Sequence, residues 1–323
     1  MISNAVIFIH RLFRRCALTA LASSMLIATA FGLPAFAQDG GQKVFKTPQD
    51  AFKALVEAAR ENDTMGLIAI FGSDATDLVS SGDAVADTHS RERFVKAAQE
   101  KVEFSRLDDK SRLALIGKDR WCFPIPIVKS AKGWTFFTED GKEEIINRRI
   151  GRNELNTIQV SLAYVNAQRE YASVDRDGDG TLQYAQNFVS IKGMRDGLYW
   201  EAAPGEQRSP MGPFFARATE EGYSYVKDDK PLPYYGYYFR ILKSQGTSAP
   251  GGAMDYVVDG KMTAGFALIA YPAHYGSSGV MTFIVNQQGV VYEKDLGPAT
   301  EEAARALSAY DPDDTWVKVE QGK

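Results

Sequence analysis

Aspartates at alternate positions of one short segment have the clearest chemical content in the sequence. Asp175, Asp177 and Asp179 are each separated by a single residue, and Gly180 follows the last of them. Calcium prefers about six to eight oxygen ligands on a tightly turned backbone, and this pattern supplies three carboxylates and a glycine that permits the turn. Acids so close in sequence also repel one another unless a positive charge neutralises them. The pattern predicts a structural calcium loop at residues 175–186.

The other positions of this loop fit the prediction unequally. Thr181 lies where a backbone carbonyl would coordinate the ion, and Gln183 can hold a bridging water. Gln186 stands where a bidentate glutamate is usual, and its amide offers only one neutral oxygen. The alternative is an acidic turn that closes the preceding helix without an ion. The predicted ligands are Asp175, Asp177, Asp179, Thr181, Gln183 and Gln186.

Histidines and cysteines give little support for catalysis. His274 is followed by Ser277 and Ser278, but the sequence has no G-x-S-x-G motif and a turn histidine is the simpler interpretation. His89 is isolated, and Cys122 has no histidine nearby, which predicts an unreactive thiol. The sequence also has no glycine-rich nucleotide-binding motif. These observations favour a binding protein over an enzyme. A hydrolase whose paired carboxylates meet only in the fold remains the alternative.

Tyrosines are unusually dense in the second half of the chain. Tyrosine combines a large contact area with a polar tip, which suits binding to glycan or protein surfaces. Alternatively, every second tyrosine of a single strand faces the core. The residues concerned are Tyr199, Trp200, Tyr223, Tyr225, Tyr234, Tyr235, Tyr237, Tyr238 and Phe239.

The first 37 residues have the features of a cleavable secretory signal. Arg11, Arg14 and Arg15 precede an apolar run over residues 17–33, and the small-residue motif at residues 35–37 comes just before Gln38. A membrane anchor would need about 20 apolar residues and would not be followed at once by a cleavage site. We therefore expect a periplasmic or secreted protein, soluble and without a membrane span after cleavage near Ala37.

The charge of the exported chain disfavours a nucleic-acid partner. The full chain has a formal net charge of −4, and removal of the three arginines in residues 1–37 makes it −7. Binding to phosphate backbones requires a basic surface. Cys122 is the only cysteine after residue 37, so an intramolecular disulfide is excluded.

Two α+β units are predicted to position these residues. Residues 38–46 are polar and are expected to be a flexible segment. Residues 47–145 are predicted to form helices followed by a small antiparallel sheet. The first helix begins at Thr47-Pro48. One of these helices is predicted over residues 90–101.

The second unit, residues 146–315, is predicted to be a long helix, the acidic loop and an antiparallel meander packed on the helix. The helix is expected over residues 141–173, with a possible break at Gly151. Two hairpin turns are indicated by Asp259-Gly260 and by residues 287–289. Residues 316–323 form the tail. Strands are predicted over residues 234–242, 255–258, 265–271, 279–286 and 290–294.

Several sequence blocks resemble the bacterial DUF2950 family. They include Asn153-Glu154-Leu155, the loop at residues 175–186, and residues 195–200, 209–213, 279–283 and 294–297. The resemblance covers nearly the whole chain after the signal. It implies no catalytic residues, because the function of that family is uncharacterised. The part from the long helix onward is also faintly similar to the globular domains of type IV pilins and pseudopilins, but lacks their apolar amino-terminal segment.

Together, these features predict an exported, non-enzymatic protein that binds another envelope protein or polymer. The tyrosine-rich carboxy-terminal part is the expected binding region, and calcium is the expected cofactor.

Overall fold

The computed structural model describes residues 41–203, 205–224, 226–227 and 230–320. In this part the chain is α+β, as predicted, with helices and a small antiparallel sheet followed by a long helix and a second antiparallel sheet. The predicted signal at residues 1–37 lies outside the described residues.

Four helices begin the first unit: α1 (Pro48–Arg60), α2 (Thr64–Phe71), the short α3 (Thr76–Val79) and α4 (Ala84–Glu100). The predicted cap of α1 is present, because the hydroxyl of Thr47 accepts a hydrogen bond from the amide of Asp50 at 3.0 Å. Helix α4 begins earlier than the predicted residue 90. Asp83 caps it by accepting from the amide of Ala86 at 2.9 Å.

The first sheet contains β1 (Val102–Arg106), β2 (Ser111–Ile116), β3 (Trp121–Cys122), β4 (Ile127–Ser130) and β5 (Gly133–Phe136). Its order is β1-β2-β4-β5, with β3 paired to β2, and all pairs are antiparallel. Pro124 and Pro126 lie between β3 and β4, because proline cannot donate a hydrogen bond to a neighbouring strand. Phe45, in the predicted flexible segment, exchanges two backbone hydrogen bonds of 2.8 Å with Trp134 of β5.

Helix α5 (Lys142–Tyr171) connects the two units and contains 30 residues, a length of about 45 Å. It continues through Gly151, where a break was considered possible. Tyr164, Ala167 and Tyr171 are buried and face the core, whereas Leu155, nearer the start of the helix, is 67% exposed.

The second sheet is a five-stranded antiparallel meander. Its strands are β10 (Tyr237–Leu242), β15 (Ala267–Pro272), β16 (Met281–Asn286), β17 (Val291–Asp295) and β18 (Val317–Lys318), and they pair in this order. Helix α5 packs on the central strands, and helix α7 (Thr300–Ala306) packs on β15. Strand β18 lies in the predicted tail and pairs with β17.

Four two-stranded pairs and one helix complete the second unit. The helix is α6 (Gly212–Glu220). The predicted turn at Asp259-Gly260 is present, with φ of 51° and 80° at these residues. It joins β13 (Val257–Val258) to β14 (Lys261–Met262). The pairs are β6 (Asn187–Val189) with β7 (Gly197–Tyr199), β8 (Val226–Lys227) with β9 (Lys230–Pro231), β11 (Ser244–Gln245) with β12 (Met254–Asp255), and β13 (Val257–Val258) with β14 (Lys261–Met262).

The two units meet along the first half of α5, and each has its own buried hydrophobic cluster. The guanidinium of Arg149 donates to the carbonyls of Asp77, at 2.7 Å, and Leu78, at 2.5 Å. Asn153 donates to the carbonyl of Ser278 at 2.9 Å. Polar contacts therefore hold α5 to both units at their junction. The predicted boundary at residue 145 falls inside this helix.

Candidate functional site

The acidic loop follows the carboxyl end of α5 and is curled around the side chain of Asp175. This carboxylate accepts from the amide of Gly178 at 2.9 Å and from that of Gly180 at 2.8 Å. Both glycines have positive φ, which residues with a Cβ rarely adopt. The hydrogen bond from Gly180, followed by that from Gly178, lowers the pKa of Asp175. The turn therefore keeps this carboxyl group ionised.

The three predicted carboxylate ligands converge on one another. One oxygen from each of Asp175, Asp177 and Asp179 lies within 4.8 Å of the others. The backbone of the loop also holds one of these carboxylates in place, because Asp179 accepts a hydrogen bond from the amide of Thr181 at 2.9 Å. Three negative charges at this separation repel unless a cation lies between or beside them. The spacing in the sequence thus becomes a cluster in space.

A lysine from a separate hairpin supplies part of that positive charge. The ammonium group of Lys261, on β14, forms an ion pair with Asp179 and lies 4.0 Å from Asp177. Its side chain and those of its two partners are partly exposed. The sequence pattern did not identify Lys261, because no local spacing links it to the loop.

The remaining predicted ligands divide into two groups. Gln183 lies beside the carboxylates, since its amide donates to Asp177 at 2.8 Å. The side chain of Gln186 points to the hairpin instead. It donates to the carbonyl of Gly260 at 2.8 Å and accepts from the ammonium of Lys243 at 3.0 Å. The structure therefore brings together the three aspartates and Gln183, and uses Gln186 to attach the loop to neighbouring strands.

The end of the loop is fixed to the core of the second unit. The amide of Tyr184 donates to the carbonyl of Met262 at 2.8 Å, and its ring packs on Phe266 with the ring centroids 4.7 Å apart. Ala185 exchanges two hydrogen bonds of 2.8 Å with the side chain of Gln168 on α5. The loop is thus held by both the helix and the hairpin.

A cleft of about 310 Å³ opens beside the loop. Loop residues and the segment before β7 line it, and it contains aromatic, amide and charged side chains. The lining residues are Tyr171, Arg176, Asp177, Gln183, Tyr184, Gln186, Asn187, Met194, Arg195, Asp196 and Lys243.

Two arginines of this cleft are held by aromatic rings. The guanidinium of Arg176 lies 4.9 Å from the ring centroid of Tyr171 and 5.2 Å from that of Trp200. Arg195 lies 5.7 Å from the Trp200 ring. Burial lowers the pKa of Arg176. Cation–π contacts of this kind position the charges without neutralising them.

Several of the dense tyrosines pack on other aromatic rings, and Tyr223, Tyr234 and Tyr235 form one such cluster at the junction of the two units. Tyr237 is fully buried and its hydroxyl donates to the carbonyl of Met281 at 3.0 Å. Tyr234 and Tyr235 pack with ring centroids 4.3 Å apart, and Tyr235 donates to Glu221 at 2.7 Å. Tyr225 lies outside the described residues.

A buried aspartate joins this aromatic cluster to the first unit. Asp83 accepts from the amide of Gly236 at 2.8 Å and from the hydroxyl of Tyr223 at 3.2 Å. Burial raises the pKa of Asp83, although these hydrogen bonds oppose the shift. Gly236 has a φ of 78°, and a Cβ there would lie 2.6 Å from Asn153. This junction was not foreseen, because Asp83 carries no motif beyond its cap.

The serine and histidine considered for catalysis form a turn. Ser278 is fully buried, and its hydroxyl accepts from the amide of His274 at 2.9 Å and donates to the carbonyl of the same residue at 3.1 Å. These contacts engage the backbone of His274 and stabilise the turn. Cys122 lies half-buried in β3.

The fold and the loop together define a two-unit α+β protein with a carboxylate cluster beside a mixed-charge cleft. Residues 42–319 match the family described as "Protein of unknown function (DUF2950)", and the chain belongs to this family. Neither the curated proteins nor the solved structures gave a match. The faint similarity to pilins therefore has no support from a known structure. Among the described helices, none is both long enough and apolar enough to cross a bilayer.

Proposed function

We propose that this chain is an exported, non-enzymatic protein that holds calcium in the acidic loop and binds another envelope component in the adjacent cleft. The observation that carries the proposal is that the same residues belong to the acidic loop and to the wall of the cleft. Asp177, Gln183 and Gln186 belong to the predicted calcium loop and also line the cleft. An ion that orders the loop would therefore also fix one wall of the cleft.

The geometry of the carboxylates supports a modest affinity for calcium. Three carboxylates converge, but the glutamine at the last ligand position faces the hairpin. Lys261 also competes for Asp177 and Asp179. Extracellular calcium modules bind in the range of about 10⁻⁴ to 10⁻³ M. A site of that strength fills outside the cytoplasm, which agrees with the export predicted from residues 1–37.

Retention of envelope components on the immobilised mature chain tests the proposal. Wild type is compared with the double variant Arg195→Glu/Lys243→Glu, with and without a calcium chelator. We expect a component that wild type retains in calcium to be lost in chelator and lost with the double variant. The matched control is Lys318→Glu on β18, an exposed lysine at the opposite edge of the sheet from β10. Equal retention under all four conditions would contradict the proposal.

A second candidate function, hydrolysis of an envelope polymer by paired carboxylates, is favoured by one observation. Glu154 on α5 accepts from the amides of Val280 and Met281 at 3.0 Å each. Burial, and next the charge of Glu154, raise the pKa of Glu293. A fixed carboxylate beside a more readily protonated one is the arrangement that general acid–base catalysis uses. Release of reducing ends from purified envelope polymer, abolished by Glu293→Gln, would support this function over binding.

A further inference from the structure

We infer that the cleft beside the acidic loop binds a short peptide through its free carboxylate, with Arg176, Arg195 and Lys243 supplying the positive charge. This inference rests on the proposed function and names the class of ligand. It is carried by the charges, the donors and the apolar rim of the cleft.

The positive charges of the cleft form no ion pairs with acids of the described residues, although the charge of Glu170 also acts on Arg176. Lys243 donates to a neutral amide oxygen, and Arg195 lies against the Trp200 ring. Among the described residues, none of the three cations has a carboxylate oxygen within 4.0 Å. In a chain with excess acid, cations that line a cleft without an ion-pair partner favour an anionic ligand. Charge-assisted hydrogen bonds to a carboxylate are among the strongest that such groups form.

The two acids of the cleft are already engaged. Asp177 accepts from Gln183 at 2.8 Å and lies close to Lys261. Asp196 accepts from the side chain of Asn187 at 3.3 Å and from the amide of Ile191 at 2.9 Å. Lys261 therefore partly compensates Asp177, and the cleft lining holds three positive and two negative side chains. The excess of positive charge gives the cleft a preference for a negative ligand group.

Arg176 also has an unused hydrogen-bond donor. Its Nε donates to the carbonyl of Tyr171 at 3.0 Å and its Nη2 donates to that of Glu170 at 3.3 Å. Its Nη1 is buried and has no hydrogen-bond partner among the described residues. A buried donor without an acceptor costs free energy. Nη1 itself has almost no exposed surface, so a ligand carboxylate in the cleft meets the positive charge of Arg176 and not this donor.

The surroundings of the cleft favour a peptide over an acidic sugar. Gln183, Gln186 and Asn187 line the cleft, and each amide has two donor hydrogens and two acceptor lone pairs, more than its described contacts use. Exposed apolar side chains, of which Met194 lines the cleft, lie on the segments that form or adjoin it. These side chains fit the apolar side chains of a peptide, whereas a sugar acid would leave them in water. They are Leu182, Ile191, Met194 and Val258, which are 57%, 62%, 54% and 49% exposed.

Titration calorimetry on the full mature chain in calcium tests the inference. The probe is an N-acetylated tetrapeptide of leucine and alanine with a free carboxyl terminus. The matched ligand is the same peptide with an amidated terminus, and trigalacturonate is the acidic sugar. We expect the free acid to bind at least about tenfold more tightly than the amide, because a charge-assisted hydrogen bond is lost.

Variants locate the binding site. Arg195→Gln and Lys243→Gln are each expected to weaken binding of the free acid by about tenfold. Lys318→Gln is expected to leave binding unchanged, and thermal unfolding confirms that each variant is folded.

Three outcomes would overturn the inference. Equal affinity for acid and amide would exclude the carboxylate, and tighter binding of trigalacturonate would exclude the peptide. Failure of the peptide to bind, while envelope components are still retained in a manner that depends on Arg195 and Lys243, would overturn this inference and leave the proposed function standing. Loss of both peptide binding and envelope retention would overturn this inference and the proposed function together.

Discussion

At the scale of single residues, Lys261 changes the interpretation of the acidic loop. Asp175, Asp177 and Asp179 need a positive charge nearby, and calcium was the expected source. The chain itself places an ammonium group against Asp179 and near Asp177. The acids were predictable because their spacing is local. Lys261 was not, because it reaches the loop only through the β13–β14 hairpin. Any bound calcium must compete with this lysine.

Replacement of Lys261 tests that competition. In Lys261→Gln the three carboxylates lose their internal counter-charge, so we expect the melting temperature in chelator to fall by about 1–4 °C, as removal of a partly exposed ion pair implies. Calcium should restore it, so that the calcium-dependent difference exceeds that of wild type. Calorimetry with calcium and with chelator measures this.

Two further variants complete that test. Asp179→Asn should narrow the difference between calcium and chelator, and Lys318→Gln should leave it unchanged. Identical melting temperatures with calcium and with chelator, in wild type and in Lys261→Gln, would show that the loop does not bind calcium.

The carboxyl of Glu293 gives a pH-dependent prediction. Burial and the charge of Glu154 raise its pKa in the folded chain. The stability that this group contributes is therefore fully present below its unfolded pKa of about 4.3 and is lost as the pH rises through the folded value.

Glu293→Gln should accordingly be more stable than wild type at pH 7, by less than about 1 kcal/mol because the carboxyl is partly exposed. The advantage should shrink as the pH falls toward 4. Denaturant unfolding across this range measures it, with the exposed Glu302→Gln as control. A constant difference at every pH would argue against the raised pKa.

At the scale of elements, the sequence predicted what local rules determine. The cap at Thr47, the Asp259-Gly260 hairpin and four of the five strands of the meander follow from residue preferences and period-two patterns. The predicted strand at residues 255–258 was wrong as a member of the meander, because it lies in the short β11–β12 and β13–β14 pairs, and the fifth strand is β18 from the predicted tail. The start of α4 was wrong by several residues. Its cap, Asp83, also serves a contact with Gly236 that no local pattern encodes. The tyrosines were ambiguous because a half-buried strand and a binding face have the same composition.

The double role of Asp83 predicts an unusually costly substitution. Asp83→Ala removes the cap of α4 and leaves the amide of Gly236 without its acceptor. We expect the free energy of unfolding to fall by about 2–3 kcal/mol, partly because the helix cap is lost and partly because a buried donor is left unsatisfied. Asp63 caps α2 by accepting from Gly66 at 2.8 Å and is exposed. Asp63→Ala should therefore cost only about 1 kcal/mol. Equal losses in denaturant unfolding would show that the contact with Gly236 contributes nothing.

At the scale of the whole molecule, two cores are connected by α5 and by polar contacts at its first half. Family membership extends over residues 42–319 and so includes both cores. The order of helices, small sheet, long helix and meander was predictable, because it follows the order of patterns along the chain. The packing of one unit on the other was not, since it depends on Arg149, Asn153 and Asp83 meeting distant backbone groups.

The predicted export from the cytoplasm is also a property of the whole chain. If residues 1–37 are a secretory signal, the exported form begins at Gln38 and has lost three arginines. We expect mass spectrometry of the protein recovered outside the cytoplasm to give that terminus. Ala37→Arg should block cleavage and leave the longer form, because the cleavage site requires small residues. Recovery of an intact amino terminus from wild type would refute the signal.

The hairpin position of Lys261 has a consequence in time. The chain is synthesised from its amino terminus, so the three aspartates emerge well before the lysine that partly neutralises them. Until the β13–β14 hairpin forms, during synthesis or during refolding of the full chain, Lys261 cannot neutralise the loop and dissolved ions screen its charge instead. We therefore expect refolding rates to depend on divalent cations and on salt more steeply than the final stability does.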